Sequence, residues 1–194
     1  MEQVLEFPAV SSRSRVDPRT LSRAFEVSDQ NGRSLDSLSR EGPVLLVFLR
    51  HLGCTFCREA AKDVSEQRET IEREGVTPAF VGMADETELG EFLESYSLED
   101  LPRFADPERQ LFGAFGLGRG GARQLFGPEV WQRGVSAAAP AWLGGGGHGL
   151  GALKGDGLQM PGVFLLNEGK VVGGYRHETA ADRPDYTSLA CEAR

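Results

Sequence analysis

Positive charge is scarce in this sequence of 194 residues. Lysine and arginine number 21 against 29 aspartates and glutamates, so the formal net charge is -8 at pH 7. A phosphate backbone or an anionic lipid surface repels such a chain unless a local basic patch overrides the sum. One loose basic stretch, residues 13–23, is diluted by Asp17, and we interpret it as a solvated arm. Nucleic acid and membranes are therefore not expected as partners.

Long hydrophobic runs are also lacking. The longest apolar run, Val44–Leu49, is far shorter than the ~18 residues that a membrane-spanning helix needs. The first residues include Glu2 and Glu6, where a secretory signal peptide needs a basic patch followed by an apolar run. We therefore expect a protein that stays in the cytoplasm, where it is made.

Cysteine is rare as well. Three cysteines, Cys54, Cys57 and Cys191, are too few and too unevenly spaced for a secreted scaffold held together by disulfides. Two of them form a C-x-x-C motif. In a reducing cytosol such a motif is either redox-active or half of a metal site.

The length and the 40% hydrophobic content suit one well-packed domain. Residues 1–23 look like a loosely organised lead-in, and residues 24–194 form the predicted domain. A glycine-rich stretch at about 116–157 contains Trp131 and Trp142. We interpret it as an insertion with one short helix near residues 128–133.

The front half of the domain has alternating strand and helix patterns. Phe25-Glu26-Val27 followed by the turn dipeptide Asn31-Gly32 predicts a small β-ribbon. The apolar run Val44–Leu49 predicts a central strand that is buried on both faces. A helix is predicted over residues 54–74, then a strand over 78–83 and a helix over 86–96. This order implies an α/β fold with a parallel, right-handed crossover.

The back half predicts a short helix within residues 107–115 and a hairpin further on. Residues 163–166 and 171–175 are its strands, and Asn167-Glu168-Gly169-Lys170 is its turn. A last helix should begin after Pro184.

The position of the C-x-x-C motif carries the chemical argument. Cys54 is expected at the start of the helix that follows the buried strand, where unpaired N–H groups and the helix dipole favour a thiolate. Only the thiolate is a good nucleophile. Cys57 lies one turn further on, so its sulfur can close a disulfide with Cys54. Three flanking residues, Arg50, His51 and Arg58, could stabilise the thiolate further.

Two other classes of function stay open at this point. A metal site would need partners for the two thiolates, and the candidates are scattered without knuckle spacing: Cys191, His51, His148 and His177. A copper-handling protein that uses the cysteine pair with His177 is one alternative. A non-enzymatic binding module that uses the Gly/Trp insertion as its surface is the other.

Two stretches carry a resemblance to a known family. Residues 46–57, Leu-Val-Phe-Leu-Arg-His-Leu-Gly-Cys-Thr-Phe-Cys, are followed by Arg58-Glu59. Residues 155–164, Gly-Asp-Gly-Leu-Gln-Met-Pro-Gly-Val-Phe, are followed by residues 175–177 and 182–184. Together they resemble the peroxiredoxin-like AhpC/TSA family, in the branch that includes prostamide/prostaglandin F synthase and the selenoprotein-L/U-like proteins.

The resemblance implies a thioredoxin-like three-layer fold, in which helices flank a central mixed β-sheet. It implies that Cys54 is the redox-active cysteine and Cys57 the resolving one, with Thr55 and Phe56 between them. Pro161 is then expected to have a cis peptide bond and to face the pair. No bound cofactor is implied. The expected partners are a thioredoxin-like dithiol reductant and a small peroxide or disulfide substrate, and a homodimer is compatible with the resemblance.

The sequence also departs from typical peroxiredoxins. Val47 and His51 stand where those enzymes carry the proline and threonine of their peroxide-activating motif, and their active-site arginine falls near Pro161. These departures favour a dithiol reductase or a specialised peroxide or endoperoxide reductase.

Overall fold

A five-stranded mixed sheet forms the centre of the molecule. The computed structural model describes residues 18–128, 130, 132, 134–135 and 156–193. The sheet order is β3-β2-β1-β4-β5. Strands β1, β2 and β3 run parallel, whereas β4 pairs antiparallel with both β1 and β5. The strand bounds are β1 Val44–Leu49, β2 Thr77–Gly82, β3 Arg103–Ala105, β4 Gly162–Asn167 and β5 Lys170–Arg176.

Helices cover both faces of this sheet. Their bounds are α1 Pro18–Ala24, α2 Leu35–Glu41, α3 Thr55–Arg73, α4 Glu86–Glu94, α5 Gln110–Ala114, α6 Ala122–Phe126 and α7 Tyr186–Cys191. The described residues between 128 and 135 are helical too, as predicted for the insertion. Trp131, Trp142 and most of that insertion lie outside the described residues. None of the helices in the described part of the chain is long and apolar enough to cross a membrane.

Strand β1 divides the core into two halves. All six of its residues are buried, and successive side chains of a strand point to opposite faces. Leu46 and Phe48 pack into a cluster with α1, α2 and α5. Leu45, Val47 and Leu49 pack into a second cluster with α3, α4 and α7. The result is the predicted three-layer α/β fold.

The predicted hairpin and long helix are confirmed. Helix α3 buries Ala61, Val64 and Ile71 against the sheet, and the chain leaves it at Gly75, where a φ of 77° favours glycine. Asp185 caps α7 by accepting hydrogen bonds from the N–H groups of Thr187 and Ser188. These elements match the sequence-based bounds to within a few residues.

The front of the chain differs from its prediction. The β-ribbon is reduced to a single bridge between Ser28 and Ser34, and α1 takes in residues 18–23 of the predicted lead-in together with Ala24. The Asp29 carboxylate accepts hydrogen bonds from the N–H groups of Asn31 and Arg33, which tightens the turn. Ser34 then caps α2, so the chain enters a helix where the second ribbon strand was expected.

Candidate functional site

The redox pair lies where β1 passes into α3. Cys54 is the N-cap residue of α3, and its N–H donates to the carbonyl of His51 at 3.0 Å. Cys57 lies one turn into the helix. Both cysteines carry free thiols in this structure. Among the described residues, the Cys54 side chain makes no capping hydrogen bond to the helix backbone. The side chains around the sulfur therefore supply the specific contacts.

Arg50 provides the main charged contact of the site. Its Nε donates to Cys54 Sγ at 3.1 Å, and its Nη1 donates to the carbonyl oxygen of Gly157 at 3.0 Å. The residue is only 9% exposed. A charge-assisted hydrogen bond of this kind is about twice as strong as a neutral one. Arg50 therefore stabilises the thiolate form of Cys54.

The pKa values of the two thiols are shifted in opposite directions. The Cys57 thiol hydrogen-bonds to Cys54 and is the largest cause that holds the pKa of Cys54 well below its usual value. The Arg50 guanidinium adds to this effect, and so does His51 when its imidazole is protonated, whereas burial opposes it. For Cys57, burial raises the pKa well above its usual value, and the hydrogen bond to Cys54 acts in the same direction. The arrangement thus pairs one thiolate with one protonated thiol.

His51 lies beside this pair and is buried. Burial is the largest cause that lowers the pKa of His51, and the positive charge of Arg50 acts in the same direction. The negative charges of Cys54 and Asp156 oppose that shift. The Nδ1 atom of His51 is buried and has no hydrogen-bond partner within the described part of the chain. A neutral imidazole beside the thiolate is available to hydrogen-bond a ligand.

Access to the sulfurs is narrow. Cys54 is 4% exposed and Cys57 is 3% exposed. A cleft beside Cys57 has an enclosed volume of about 20 Å³, which is roughly the space that one water molecule needs. Its apolar side includes Val47, Phe56, Ala60, Pro161 and Ala180, and its polar side includes Glu59, Asp63, His177, Asp182, Arg183 and Tyr186. In this state the site has room for a small group only.

The other predicted site residues have different surroundings. Thr55 is the first residue of α3 and is buried, whereas Phe56 and Pro161 line the cleft. Arg58 was expected to support the thiolate, but its Nε donates to the carbonyl of Leu52 at 3.4 Å. It is also not among the largest causes of the shift in the Cys54 pKa. Arg58 lies within the helix, one turn beyond Cys54, whereas Arg50 precedes the helix and reaches the sulfur.

The prediction of a cis peptide bond at Pro161 is wrong for this structure. All described peptide bonds, including that between Met160 and Pro161, are trans. The trans form of an X–Pro bond is favoured by about 0.5–1 kcal/mol when nothing selects the cis form. Here the Met160 N–H donates to the carbonyl of Gly118, and the chain enters β4 directly at Gly162. Pro161 lines the same cleft as Cys57.

The residues on the polar side of the cleft were not identified from the sequence. Arg183 precedes α7 and binds the buried carboxylate of Asp63 on α3 through both oxygens, at 2.5 and 2.7 Å. Tyr186, the first residue of α7, is 1% exposed and lines the same cleft. Asp63 and Arg183 are 120 positions apart, so no local periodicity signals their contact.

The metal alternative gains no support from the geometry. Across the described ranges, no group of three or more His, Cys, Asp or Glu residues is placed to hold a metal ion. His177 lines the same cleft as Cys57, but these two residues alone do not form such a group. His148 lies outside the described residues.

A thioredoxin-like α/β fold with a polarised thiol pair at a helix start defines the class of thiol-dependent oxidoreductases related to peroxiredoxins. Within that class, the chain belongs to the family of AhpC/TSA antioxidant enzymes, whose family model matches residues 63–179. The matched range begins after Cys54 and Cys57, so the roles of these two residues are argued from their geometry.

Several known proteins are similar to this chain. Peroxiredoxin-like 2C of Mus musculus is 29% identical over 171 residues, covering 84% of this chain and 74% of that protein. Prostamide/prostaglandin F synthase of Salmo salar is 32% identical over 140 residues, covering 70% of this chain and 65% of that protein. These relatives agree with the branch that the sequence motifs resemble.

Solved structures support the fold. The bacterioferritin comigratory protein of Xanthomonas campestris superposes with a TM-score of 0.57 at 16% sequence identity, covering 91% of this chain and 88% of that one. The peroxidoxin BcpB of Mycobacterium tuberculosis superposes with a TM-score of 0.53 at 20% identity, covering 86% of this chain and 88% of that one. At these identities the likeness establishes the shared fold alone.

Proposed function

We propose that this protein is a two-cysteine thiol peroxidase that acts on small hydroperoxides in a reducing compartment such as the cytoplasm. In the first step the Cys54 thiolate attacks the terminal oxygen of R–O–O–H. A sulfur–oxygen bond forms and the O–O bond breaks, which leaves a sulfenic acid on Cys54 and an alkoxide that takes a proton from solvent. The sulfur is oxidised and the peroxide is reduced.

The second step uses Cys57. Its thiol attacks the sulfur of the Cys54 sulfenic acid, a disulfide forms, and the hydroxyl group leaves as water with the proton of Cys57. A thioredoxin-like dithiol then reduces the disulfide by two thiol–disulfide exchanges and becomes oxidised itself. This cycle needs no bound cofactor.

One observation carries the proposal. Arg50 Nε lies 3.1 Å from Cys54 Sγ, while the Cys57 thiol hydrogen-bonds to that same sulfur. A fixed cation therefore favours the ionised form of the attacking group, and its resolving partner is already in contact with it. The neutral His51 imidazole can hydrogen-bond the peroxide oxygen, a role that threonine fills in typical peroxiredoxins.

The size of the cleft favours a small substrate. One relative is named for prostamide and prostaglandin F synthesis. The cleft beside Cys57 holds only about 20 Å³ in this state. The cleft has to open less for a small hydroperoxide than for a much larger prostanoid endoperoxide.

Stopped-flow oxidation of the reduced protein tests the proposal. Hydrogen peroxide, a small organic hydroperoxide and a protein disulfide are compared in parallel, with Cys191→Ser as a matched control for an exposed cysteine outside the site. We expect rapid oxidation by the peroxides in the wild type and in Cys191→Ser, and none in Cys54→Ser. Faster reaction with the protein disulfide would identify a disulfide reductase instead. Unchanged peroxide oxidation in Cys54→Ser would reject the assignment of the nucleophile.

A further inference from the structure

The Asp156 carboxylate belongs to the residue before Gly157, whose carbonyl oxygen accepts a hydrogen bond from Arg50. We propose that Asp156 is a positioning residue, which holds the Gly157 carbonyl against Arg50 and thereby keeps the guanidinium directed at Cys54. The inference rests on the proposed function, because it assumes that Cys54 is the reacting sulfur.

Two arginines and one backbone N–H anchor the carboxylate. Arg109 Nη1 lies 2.5 Å from Asp156 Oδ2, and Arg119 Nε lies 3.0 Å from the same oxygen. The N–H of Leu158 donates to Oδ1 at 2.9 Å, which closes a turn around Gly157. Arg109 caps α5, and Arg119 lies in the chain beyond that helix, so Asp156 joins the turn to a separate part of the fold.

The residues after Gly157 are fixed in the same way. Gly120 donates its N–H to the carbonyl of Leu158 at 2.7 Å, and Met160 donates to Gly118 at 3.0 Å. The buried Gln159 side chain also donates to the carbonyl of Gly118 at 3.0 Å. With hydrogen bonds on both sides, the direction of the Gly157 carbonyl is determined by this segment.

Arg50 depends on that carbonyl for its orientation. A guanidinium is a planar fork, so a partner on Nη1 sets the direction of Nε. The Gly157 carbonyl holds Nη1 at 3.0 Å, and Nε then meets Cys54 Sγ at 3.1 Å. If the turn loosens, the fork can rotate and the thiolate loses its charge-assisted hydrogen bond.

Simple electrostatics predicts the opposite change in the Cys54 pKa when Asp156 is neutralised. The direction of the measured change therefore tests the inference. The groups that act on the Cys54 sulfur are Cys57, Arg50 and His51, and Asp156 in turn acts on His51. Removing the negative charge of Asp156 leaves Arg109 and Arg119 without their carboxylate. Because His51 is already neutral above its lowered pKa, charge alone would favour the Cys54 thiolate, whereas loss of positioning would disfavour it.

The experiment is the pH profile of Cys54 alkylation by iodoacetamide in the reduced, full-length protein, with Cys191→Ser as the background. For Asp156→Asn we expect the midpoint to rise by about 0.5–1 pH unit, so that alkylation well below the midpoint slows about 3- to 10-fold. Asp100→Asn is the matched control, since it removes a carboxylate that binds Arg68 on the surface, and its midpoint should not move.

A second variant separates the loss of positioning from a general folding defect. Asp156→Ser keeps an oxygen that can accept from the Leu158 N–H but loses both arginines, and it should raise the midpoint in the same direction. A midpoint that falls or stays constant in a folded Asp156 variant overturns the inference. A wild-type midpoint near the free-cysteine value of ~8.5 would instead overturn the proposed function, so the two failures are distinguishable.

Discussion

Arg50 Nε donates a hydrogen bond to Cys54 Sγ at 3.1 Å, across a loop that begins where the central strand ends. Both side chains are shielded from solvent, with exposures of 9% and 4%. Because screening by water is weak there, the positive charge acts on the sulfur at close to its full strength.

Replacing Arg50 should slow the first chemical step. In Arg50→Met the Cys54 thiolate loses a charge-assisted hydrogen bond of about 1.5–3 kcal/mol, which corresponds to about a 10- to 150-fold fall in the rate of peroxide reduction at a pH below the Cys54 pKa. Stopped-flow oxidation under pseudo-first-order conditions measures it. Arg73→Met, at the exposed end of α3, is the control and should react like the wild type. An unchanged rate in Arg50→Met would exclude the arginine from thiolate stabilisation.

Replacing Cys57 should separate the two steps. In Cys57→Ser, Cys54 can still attack a peroxide but has no neighbouring thiol to close a disulfide. We expect one turnover, after which a sulfenic acid remains on Cys54 and reacts with dimedone, as detected by mass spectrometry of the modified peptide. The serine hydroxyl can take over the hydrogen bond that the Cys57 thiol makes to Cys54, so the first step should still proceed. Continued turnover with a dithiol reductant would show that Cys57 is not the resolving residue.

The stability of the reduced protein should depend on pH through Cys54. Its pKa is lower in the folded state, chiefly because of the Cys57 hydrogen bond, than in the unfolded chain, where a cysteine has a pKa of about 8.5. Between these two values the unfolded state binds more protons, so stability rises with pH. The contribution is complete above about pH 8.5 and is lost as the pH falls through the folded pKa.

The raised pKa of Cys57, caused first by burial, acts the other way and matters only above about pH 8.5. Urea unfolding of the reduced wild type and of Cys54→Ser, from about pH 5 to 8, gives the measurement. The difference in unfolding free energy should grow with pH in favour of the wild type. A pH-independent difference would contradict the lowered pKa of Cys54.

The ion pair between Asp63 and Arg183 should stabilise the junction between α3 and the start of α7. The Asp63 side chain is 3% exposed, whereas Arg183 is 51% exposed and can regain water when it loses its partner. We therefore expect Asp63→Asn to cost about 1–2 kcal/mol rather than the larger cost of a fully buried pair. Urea unfolding measures the difference. Asp100→Asn, which breaks an exposed pair, should cost less than about 1 kcal/mol, and equal costs would contradict this explanation.

Phe48 should be a main contributor to the core on the far side of β1. Its ring lies 5.0 Å from that of Phe112, 5.2 Å from Phe115 and 5.7 Å from Phe164, measured between centroids. Phe48→Ala should cost about 3–5 kcal/mol, because the cavity cannot be refilled. Val172→Ala, at an exposed position on β5, should change stability by no more than about 0.5 kcal/mol. Similar losses in the two variants would mean that Phe48 is not packed as described.

The elements that hold the redox pair were predictable because their signals are local. Six consecutive apolar residues define β1, and the C-x-x-C motif with the helical period after it defines α3. The motifs at residues 46–57 and 155–164 also indicated the family. These signals depend on neighbours in the sequence, so periodicity and composition capture them.

The rest of the site depends on contacts between distant parts of the chain. Arg50 and Gly157 are 107 positions apart, and only folding shows that Arg50, rather than Arg58, reaches the sulfur. The prediction of a β-ribbon at the front of the chain was wrong for a different reason. The Asp29 side chain tightens the turn at Asn31, and Ser34 then starts a helix, so side-chain hydrogen bonds prevailed over strand propensity.

Peptide mapping after single-turnover oxidation tests the central claim most directly. Reduced protein is mixed with one equivalent of hydrogen peroxide, the remaining thiols are blocked, and the cysteine-containing peptides are identified by mass spectrometry. The account predicts an intramolecular disulfide between Cys54 and Cys57, with Cys191 still alkylated as a free thiol. Recovery of both Cys54 and Cys57 as unoxidised thiols, while Cys191 carries the oxidation, would contradict it.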